Sequence, residues 1–242
     1  MFPNNSMFLA MAFSTRIRRP LLFGAGLAFL FALVLVPGDV LAQSGPGDNP
    51  SEPPVASSPA PNRVLFLRAD RGVSLSGSEV TTWADQSSKK NDATNTLTGP
   101  EFVPNSSGLN GKPALRFDRS SEKGLGVANT DDINTGGPYP ERTISLTFRT
   151  GSDVSSRQIV YEEGGGVNGF NVYVNNGSVH ASAWDDAWTG AQEGQFSVSK
   201  SVSANTTYVL TFVFDEDATA PLQLFLDGTQ VATNSDPSID GV

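Results

Sequence analysis

Short stretches in which apolar and polar residues alternate dominate the chain beyond residue 62. The clearest lies at 143–148, where Ile144, Leu146 and Phe148 are separated by hydroxyl side chains. A period of two places one set of side chains in a core and the other in water, as a half-buried antiparallel strand requires. Gly, Asn, Asp, Ser and Pro separate these stretches from one another. The pattern predicts β structure throughout this region.

Two hairpins follow from the turn residues. The first joins 170–174 to 178–184 through Asn-Asn-Gly, and the second joins 222–226 to 229–233 through Asp-Gly, residues that tolerate the positive φ of tight turns. Residues 208–214 are apolar on both faces apart from one threonine and predict a central strand covered on both sides. Further strands are predicted at 64–67, 80–83, 114–117 and 158–161. With about ten strands and no convincing helix, the chain is predicted to be an all-β, antiparallel two-sheet sandwich.

A secretory signal peptide is predicted over residues 1–42. Three arginines between positions 16 and 19 precede an unbroken apolar and glycine run at 21–36, and Val-Leu-Ala supplies the small residues of a cleavage site after Ala42. An uncleaved membrane anchor is the alternative, but sixteen residues are fewer than the roughly 20 of a spanning helix, and Pro37 breaks a helix there. The protein is therefore expected to be secreted or held at the cell surface, with no membrane insertion after cleavage.

Residues 43–61 predict a linker between this signal and the folded domain. The segment contains six prolines and almost no large apolar side chains. Such a sequence stays solvated and favours extended polyproline II structure. The folded domain is then expected to occupy residues 62–242.

Charge and cysteine content exclude several classes of partner. The whole chain has a formal net charge of −9, and residues 1–42 hold three basic side chains and one acidic one, so the processed chain carries −11. Nucleic acid is not an expected partner, because each phosphate contact needs a Lys or Arg that this acidic surface lacks. The chain contains no cysteine, which excludes disulfides, thiol chemistry and cysteine-ligated metals.

Several segments in order resemble the LamG-like jelly rolls of bacterial exported proteins, within the laminin G and concanavalin A-like lectin and glucanase superfamily. They are VLFLRAD at 64–70, VTTWADQS at 80–87, NDAT at 91–94, LNGKPALRF at 109–117, IVYEEGG at 159–165, NGFNVY at 168–173 and LFLDG at 224–228. The resemblance implies a jelly-roll sandwich acting as a non-catalytic binding module for an extracellular glycan or a surface protein. A structural or partner-binding accessory domain of a larger exported protein is the alternative, because the same fold carries many functions.

The end of the chain departs from this family. Its members usually close with a strand of the type FDG-x-I-x-E-V-x-I-Y-N, whereas this chain stops at Ser-Ile-Asp-Gly-Val, 238–242. The resemblance therefore implies a domain without its closing strand, either a fragment of a longer product or a divergent end. That strand pairs near the N-terminal one, so backbone groups around 64–67 are expected to lack partners and the adjacent position to be vacant or filled by an atypical segment.

The sequence Trp184-Asp185-Asp186-Ala187-Trp188 is the best candidate for ligand binding. Sugar sites combine an aromatic platform with carboxylates that accept hydrogen bonds from hydroxyl groups. A core role for Trp184 is the alternative, since aromatic residues at strand ends commonly fill cores. Trp83 is assigned to the core on the same grounds.

Calcium is the candidate cofactor, because LamG-like domains often hold one ion and calcium prefers oxygen ligands. Asp215 and Asp217 are the first candidates, followed by the acidic pairs at 131–132 and 185–186, although no EF-hand spacing is present. These acids are otherwise expected to be solvated loop residues.

No catalytic residue is predicted. The glucanases of this fold need two carboxylates on one strand face, in an E-x-D-x-E or E-x-D-x-x-E pattern, and neither pattern occurs. Glu162 and Glu163 are adjacent and would point to opposite faces of a strand. His180 is the only histidine and no Gly-x-Ser-x-Gly elbow accompanies it, so it is interpreted as an ordinary strand residue. A glycoside hydrolase remains the least favoured function.

Overall fold

A computed structural model describes the backbone of residues 6–15 and, with side chains, residues 63–95, 98–118, 123–165, 168–184 and 196–235. These residues form β strands and one three-residue 3-10 turn at Ser107–Leu109. The strands are β1 (Ser6–Thr15), β2 (Arg63–Leu65), β3 (Val73–Ser76), β4 (Glu79–Trp83), β5 (Ala93–Asn95), β6 (Glu101–Ser106), β7 (Lys112–Asp118), β8 (Leu125–Val127), β9 (Glu141–Arg149), β10 (Gln158–Gly164), β11 (Gly169–Asn175), β12 (Ser178–Trp184), β13 (Ser197–Ser201), β14 (Thr207–Asp215), β15 (Leu222–Leu226) and β16 (Thr229–Asn234).

The strands are arranged in two antiparallel sheets. The larger sheet has the order β16-β15-β14-β9-β1-β7-β6-β4-β5-β8, with β2 paired to β1 and β3 paired to β4. The smaller sheet has the order β10-β11-β12-β13. Among the described residues, β8 and β10 therefore lie at the edges of their sheets.

The two sheets pack face to face through the alternating apolar residues of their strands. In β9, Ile144, Leu146 and Phe148 are all at most 4% exposed, and they meet buried side chains of β11 such as Phe170 and Val172. A second cluster, centred on Trp83, lies beneath the strands β2, β4 and β5. The burial of this apolar area is the main stabilising contribution in a domain that has no cysteine.

The turns at both predicted hairpins adopt the expected backbone. Asn176 and Gly177 have φ values of 48° and 74° between β11 and β12, and Asp227 and Gly228 have values of 50° and 79° between β15 and β16. Positive φ at both central residues matches the twist of the flanking strands. Both hairpin predictions are confirmed.

Residues 208–214 form a strand as predicted, but the prediction that both faces of this strand are covered is wrong. The strand β14 is central, between β9 and β15, but only Leu210, Phe212 and Phe214 are buried, while Val209 and Val213 are half-buried. The other sheet covers a single face of β14, and among the described residues no further layer lies over its second face. The all-β, antiparallel prediction is confirmed, and in the described residues no helix is long and apolar enough to cross a membrane.

The backbone around residues 64–67 does not lack partners as expected. Asp85 accepts a hydrogen bond from the Phe66 amide at 2.7 Å, and the Asn91 side chain donates to the Val64 carbonyl at 2.8 Å. The Gln86 amide donates to the Phe66 carbonyl at 2.8 Å. A loop that follows β4 thus satisfies groups for which a neighbouring strand was expected.

The strand β1 lies within the range predicted as a signal peptide and pairs inside the larger sheet. Its residues 6–9 pair with β7 and its residues 8–14 pair with β9. Leu65 and Arg63 of β2 pair with its end, at Ser14 and Thr15. An N-terminal segment therefore holds a position between two core strands.

Candidate functional site

A pocket of about 390 Å³ opens between the two sheet edges formed by β8 and β10. Its walls are apolar side chains from both sheets and the loop before β9: Leu65, Leu67, Leu125, Val127, Ile133 and Val160. Its polar groups are Lys123, Asn134, Tyr161, Glu162 and Glu163. Apolar walls with a few polar groups at this volume are typical of small-ligand sites.

A buried ion pair lies at the polar end of this pocket. Nη2 of Arg142 donates to Oε1 of Glu163 at 2.8 Å, and the two side chains are 1% and 4% exposed. The Tyr161 hydroxyl donates to the other carboxylate oxygen of Glu163 at 2.7 Å. Both oxygens of Glu163 are thus bound within the protein.

The same arginine holds the loop that forms one wall of the pocket. Its Nη2 also donates to the Asp132 carbonyl at 2.6 Å, and its guanidinium carbon lies 3.6 Å from the centroid of the Tyr139 ring. The Tyr139 hydroxyl in turn donates to the Asp131 carbonyl at 2.8 Å. Nε and Nη1 of Arg142 are buried without a hydrogen-bond partner. The ring face beneath the guanidinium offsets part of that desolvation.

Burial alters the ionisation of both acidic groups in this network. Desolvation raises the pKa of the Glu163 carboxyl, although Arg142 and the Tyr161 hydrogen bond act in the opposite direction. Desolvation, together with the charge of Glu163, raises the pKa of the Tyr161 hydroxyl well above its ordinary value. The Glu163 carboxyl and the Tyr161 hydroxyl therefore hold their protons more strongly at the polar end of the pocket than they would in water.

Trp184, from the predicted binding cluster, lies on the outer face of the smaller sheet. It pairs with Gly169 of β11, and its indole nitrogen donates to the Gly165 carbonyl at 2.9 Å. A side chain at Gly169 would collide with the Trp184 ring, so the glycine is what allows the ring to cross the sheet. Trp184 is only 7% exposed. It therefore offers little open ring surface in this structure.

Trp184 and the pocket meet at the end of β10. Glu163 and Glu162 line the pocket, and the chain continues into Gly164 and Gly165. The Gly164 amide donates to Oδ1 of Asn134, which is itself a pocket residue, and Gly165 receives the Trp184 indole. The pocket and the Trp184 side chain are thus parts of one region at the end of β10.

Two polar side chains on the outer sheet face have atoms without partners. Asn171 pairs with Ser182 in neighbouring strands, and these residues are 3% and 6% exposed. Oδ1 of Asn171 and Oγ of Ser182 are both buried without a hydrogen bond. Glu162 lies opposite Asn171 on the adjacent strand β10 and is exposed.

The remaining members of the predicted cluster, Asp185, Asp186 and Trp188, lie outside the described residues. Their role in ligand binding stays a prediction.

Among the described residues, the predicted calcium ligands Asp215, Asp217, Asp131 and Asp132 make contacts within the protein, while Asp185 and Asp186 lie outside those residues. Asp215 ends β14, and its Oδ1 accepts the Asp217 amide at 3.1 Å, a local turn interaction. Asp131 and Asp132 have partners in Thr135 and Lys89. In the described ranges no group of three or more His, Asp or Glu side chains could hold a metal ion.

Trp83 and His180 occupy structural positions. Trp83 is 1% exposed and donates to the Arg68 carbonyl at 2.7 Å, which confirms its assignment to the core. His180 stacks on Tyr173 with ring centroids 4.8 Å apart, and its Nε2 lies 3.3 Å from the Asn175 carbonyl. Its contacts are those of an ordinary strand residue.

Arg142 and the role of Glu163 were not predicted from the sequence. Ile144, Leu146 and Phe148 occupy every second position of β9 and are buried. The same spacing continued toward the N-terminus reaches position 142, so the pattern indicates that Arg142 is also buried. A buried arginine requires a carboxylate partner. That partner lies on another strand, and no local pattern identifies it.

No family description, curated protein or solved structure matches the chain.

Proposed function

We propose that this chain is an exported, non-catalytic binding module of the LamG-like jelly-roll type, and that it binds a glycan at the pocket beside the end of β10. The observation that carries the proposal is the pocket of about 390 Å³, whose walls are mainly apolar and whose lining includes Glu162, an exposed residue at the end of β10. Sugars present C–H faces to apolar walls and hydroxyl groups to carboxylates. A terminal sugar residue is the size of ligand that such a pocket accepts.

The outer face of the smaller sheet supports a longer glycan ligand. Oδ1 of Asn171 and Oγ of Ser182 have unused hydrogen-bonding capacity beside Glu162. Buried polar atoms are normally paired, so unpaired neighbours merit a ligand explanation. Trp184 ends β12 at this face, and we propose that it binds the ligand together with Asp185, Asp186 and Trp188, which follow it in the sequence.

A binding role is favoured over hydrolysis by the state of the carboxylates. Glu163 is occupied by Arg142 and Tyr161, and Glu162 is on the opposite face of β10. Glycosidases use a facing pair in which one carboxyl group protonates the leaving oxygen. In this proposal Glu162 acts only as a hydrogen-bond acceptor.

The signal at 1–42, with cleavage after Ala42, would deliver the module to the cell surface or the medium. Calcium at Asp215 and Asp217 is retained as a secondary hypothesis. It is tested by the same assay in calcium and in chelator.

A glycan array tests the proposal. The exported protein, Glu162→Gln and Asp217→Asn would each be applied with millimolar calcium and again with a chelator. We expect a restricted set of glycans to bind the wild type, with Glu162→Gln losing most of the signal. Asp217→Asn removes a carboxylate outside the pocket and should bind normally in chelator. Absence of any glycan signal for the folded wild type would contradict the proposal.

Trp184→Phe is a second variant for the same array. It keeps an aromatic ring above Gly169 but removes the indole N–H that reaches Gly165. We expect weakened binding to longer glycans, since the end of β10 loses a fixed contact. Unchanged binding to every glycan would separate Trp184 from the site.

A further inference from the structure

The strand β1 and the predicted signal peptide occupy the same part of the chain. Residues 6–15 complete the larger sheet, whereas cleavage after Ala42 would remove them from the exported protein. The inference below rests on the export and cleavage in the proposed function. It concerns a different surface from the glycan pocket.

Removal of β1 would open a strand-shaped gap in the middle of the sheet. The strands β7 and β9 both pair with β1 and not with each other. Leu115, Leu146 and Phe148, which lie opposite β1, are at most 2% exposed and belong to the core. Backbone N–H and C=O groups of both strands would lose their partners over that core, which is costly unless another strand pairs with them.

The rest of the chain before β2 is unsuited to fill the gap. Residues 43–61 contain six prolines. Proline has no N–H to donate and is confined to strand edges, whereas this position requires hydrogen bonds on both sides. The linker can therefore not replace β1.

The residues of β7 and β9 that lie opposite each position of β1 indicate which side chains a fitting strand would carry. Positions 7 and 9 of β1 lie opposite the core-facing Phe117 and Leu115, and position 11 lies opposite Leu146. Position 8, in the other phase, lies between Arg116 and Arg149. The fitting strand alternates apolar residues with polar ones and gains from a carboxylate at position 8, beside Arg149 and beside Arg116, which also pairs with Glu101 at 3.2 Å.

We propose that the position between β7 and β9 is, in the exported protein, a binding site for an extended segment of a second polypeptide. The segment pairs antiparallel with both strands, carries apolar residues in one phase, and places an Asp or Glu in register with Arg116 and Arg149. The leader segment 6–15 occupies the same site before cleavage and keeps it closed until export. This is the recognition mode in which a partner adds a strand to a sheet.

The test compares the processed protein, recovered from the exporting cell, with the full chain. Mass spectrometry first establishes the N-terminus, which we expect at Gln43. Fluorescence anisotropy then measures binding of labelled peptides: one with the sequence of residues 6–15, one with Phe8→Glu, and one with Ala10→Pro. The processed protein should bind the first peptide saturably and at least tenfold more tightly than the full chain does. The proline peptide should not bind, because proline at position 10, which pairs with Thr147, has no N–H to donate and is confined to strand edges.

The acidic peptide tests the predicted specificity. A half-exposed ion pair with Arg149, together with the charge of Arg116, which already pairs with Glu101, predicts up to about fivefold tighter binding of the Phe8→Glu peptide at low salt, and Arg149→Gln should reduce that preference. A processed protein that binds neither peptide, a full chain that binds equally well, or a preference unchanged by Arg149→Gln would each overturn the inference. An exported protein that retains residues 1–42 would instead overturn the cleavage on which it rests. The glycan-array result changes neither the peptide-binding result nor the N-terminus found by mass spectrometry, so the two proposals are tested separately.

Discussion

Nη2 of Arg142 in β9 lies 2.8 Å from Oε1 of Glu163 in β10, so this ion pair joins the larger sheet to the smaller one. It occupies positions at which the alternation of each strand predicts a buried apolar residue. Both side chains lie in the core-facing phase of their strands, since Arg142 continues the series of Ile144 and Leu146, and Glu163 pairs with the buried Phe170. The pair also anchors the loop at Asp132. The interaction thus couples the sandwich to the wall of the candidate pocket.

Removing one member of this pair should be far more costly than removing an exposed pair nearby. Arg142→Ala leaves Glu163 buried without a cation and is expected to lower the free energy of unfolding by roughly 3–5 kcal/mol. Lys89→Ala breaks the exposed ion pair to Asp132 and should cost less than about 1 kcal/mol. Urea denaturation of both variants measures the difference. Equal losses would show that Arg142 has no special role.

The pKa of Glu163 predicts how this contribution depends on pH. Because burial raises that pKa, the folded protein binds a proton that the unfolded chain releases as the pH rises above the ordinary glutamate value of 4.5. Stability conferred by Glu163 is therefore greatest at low pH and falls as the pH rises through its raised pKa. The unfolding free energy of wild type minus that of Glu163→Gln should decrease between pH 4 and pH 7. A difference that increases over this range would contradict the assignment.

The strands were predictable from the sequence where local alternation and turn residues agree. Residues 143–148 and both hairpins fall within β9, β11–β12 and β15–β16, because burial on one face imposes a period of two. Strand β8 has three residues and β13 reads Ser-Val-Ser-Lys-Ser, so neither offers enough apolar alternation to be recognised.

The candidate site was less predictable because its members come from distant segments. Glu163 and Arg142 are 21 residues apart, and Trp184 meets Gly165 across 19 residues. Only the order of strands in the two sheets brings them together. The acidic residues and the second tryptophan that follow Trp184 in the sequence indicated a binding role for it. In the structure its indole N–H donates to the Gly165 carbonyl of the protein itself.

Gly169 should be intolerant of any side chain. An added methyl group would lie too close to the Glu163 carbonyl and to the Trp184 ring, so Gly169→Ala is expected to displace the ring and cost about 1–3 kcal/mol. Gly165→Ala is the matched control, because a methyl group there meets no atom within 4 Å. Thermal unfolding of both variants, with tryptophan fluorescence, reports stability and ring position together. Equal melting temperatures would contradict this role of Gly169.

Asp85 should be essential to the loop that closes the backbone around residues 64–67. Its carboxylate is 1% exposed and accepts hydrogen bonds from the amides of Phe66, Ser87 and Asn91 at 2.7–2.8 Å, and from the Ser87 hydroxyl. Asp85→Ala leaves several buried donors unpaired and is expected to cost about 3 kcal/mol or more.

Ser87→Ala removes only one of these bonds and is expected to cost about 1 kcal/mol. Denaturant midpoints of the two variants provide the comparison. A cost for Asp85→Ala no larger than that for Ser87→Ala would argue against the carboxylate as the centre of the loop.

The affinity of the protein for its strongest array glycan, measured by calorimetry for the wild type, Glu162→Gln and Asp217→Asn, tests the central claim most directly. The claim is that the pocket at the end of β10 holds the sugar and that Glu162 accepts its hydroxyl hydrogen bonds. Loss of a hydrogen bond to a charged acceptor predicts a decrease of about tenfold or more for Glu162→Gln and no change for Asp217→Asn in chelator. Equal affinities for the wild type and Glu162→Gln, with both proteins folded, would contradict it.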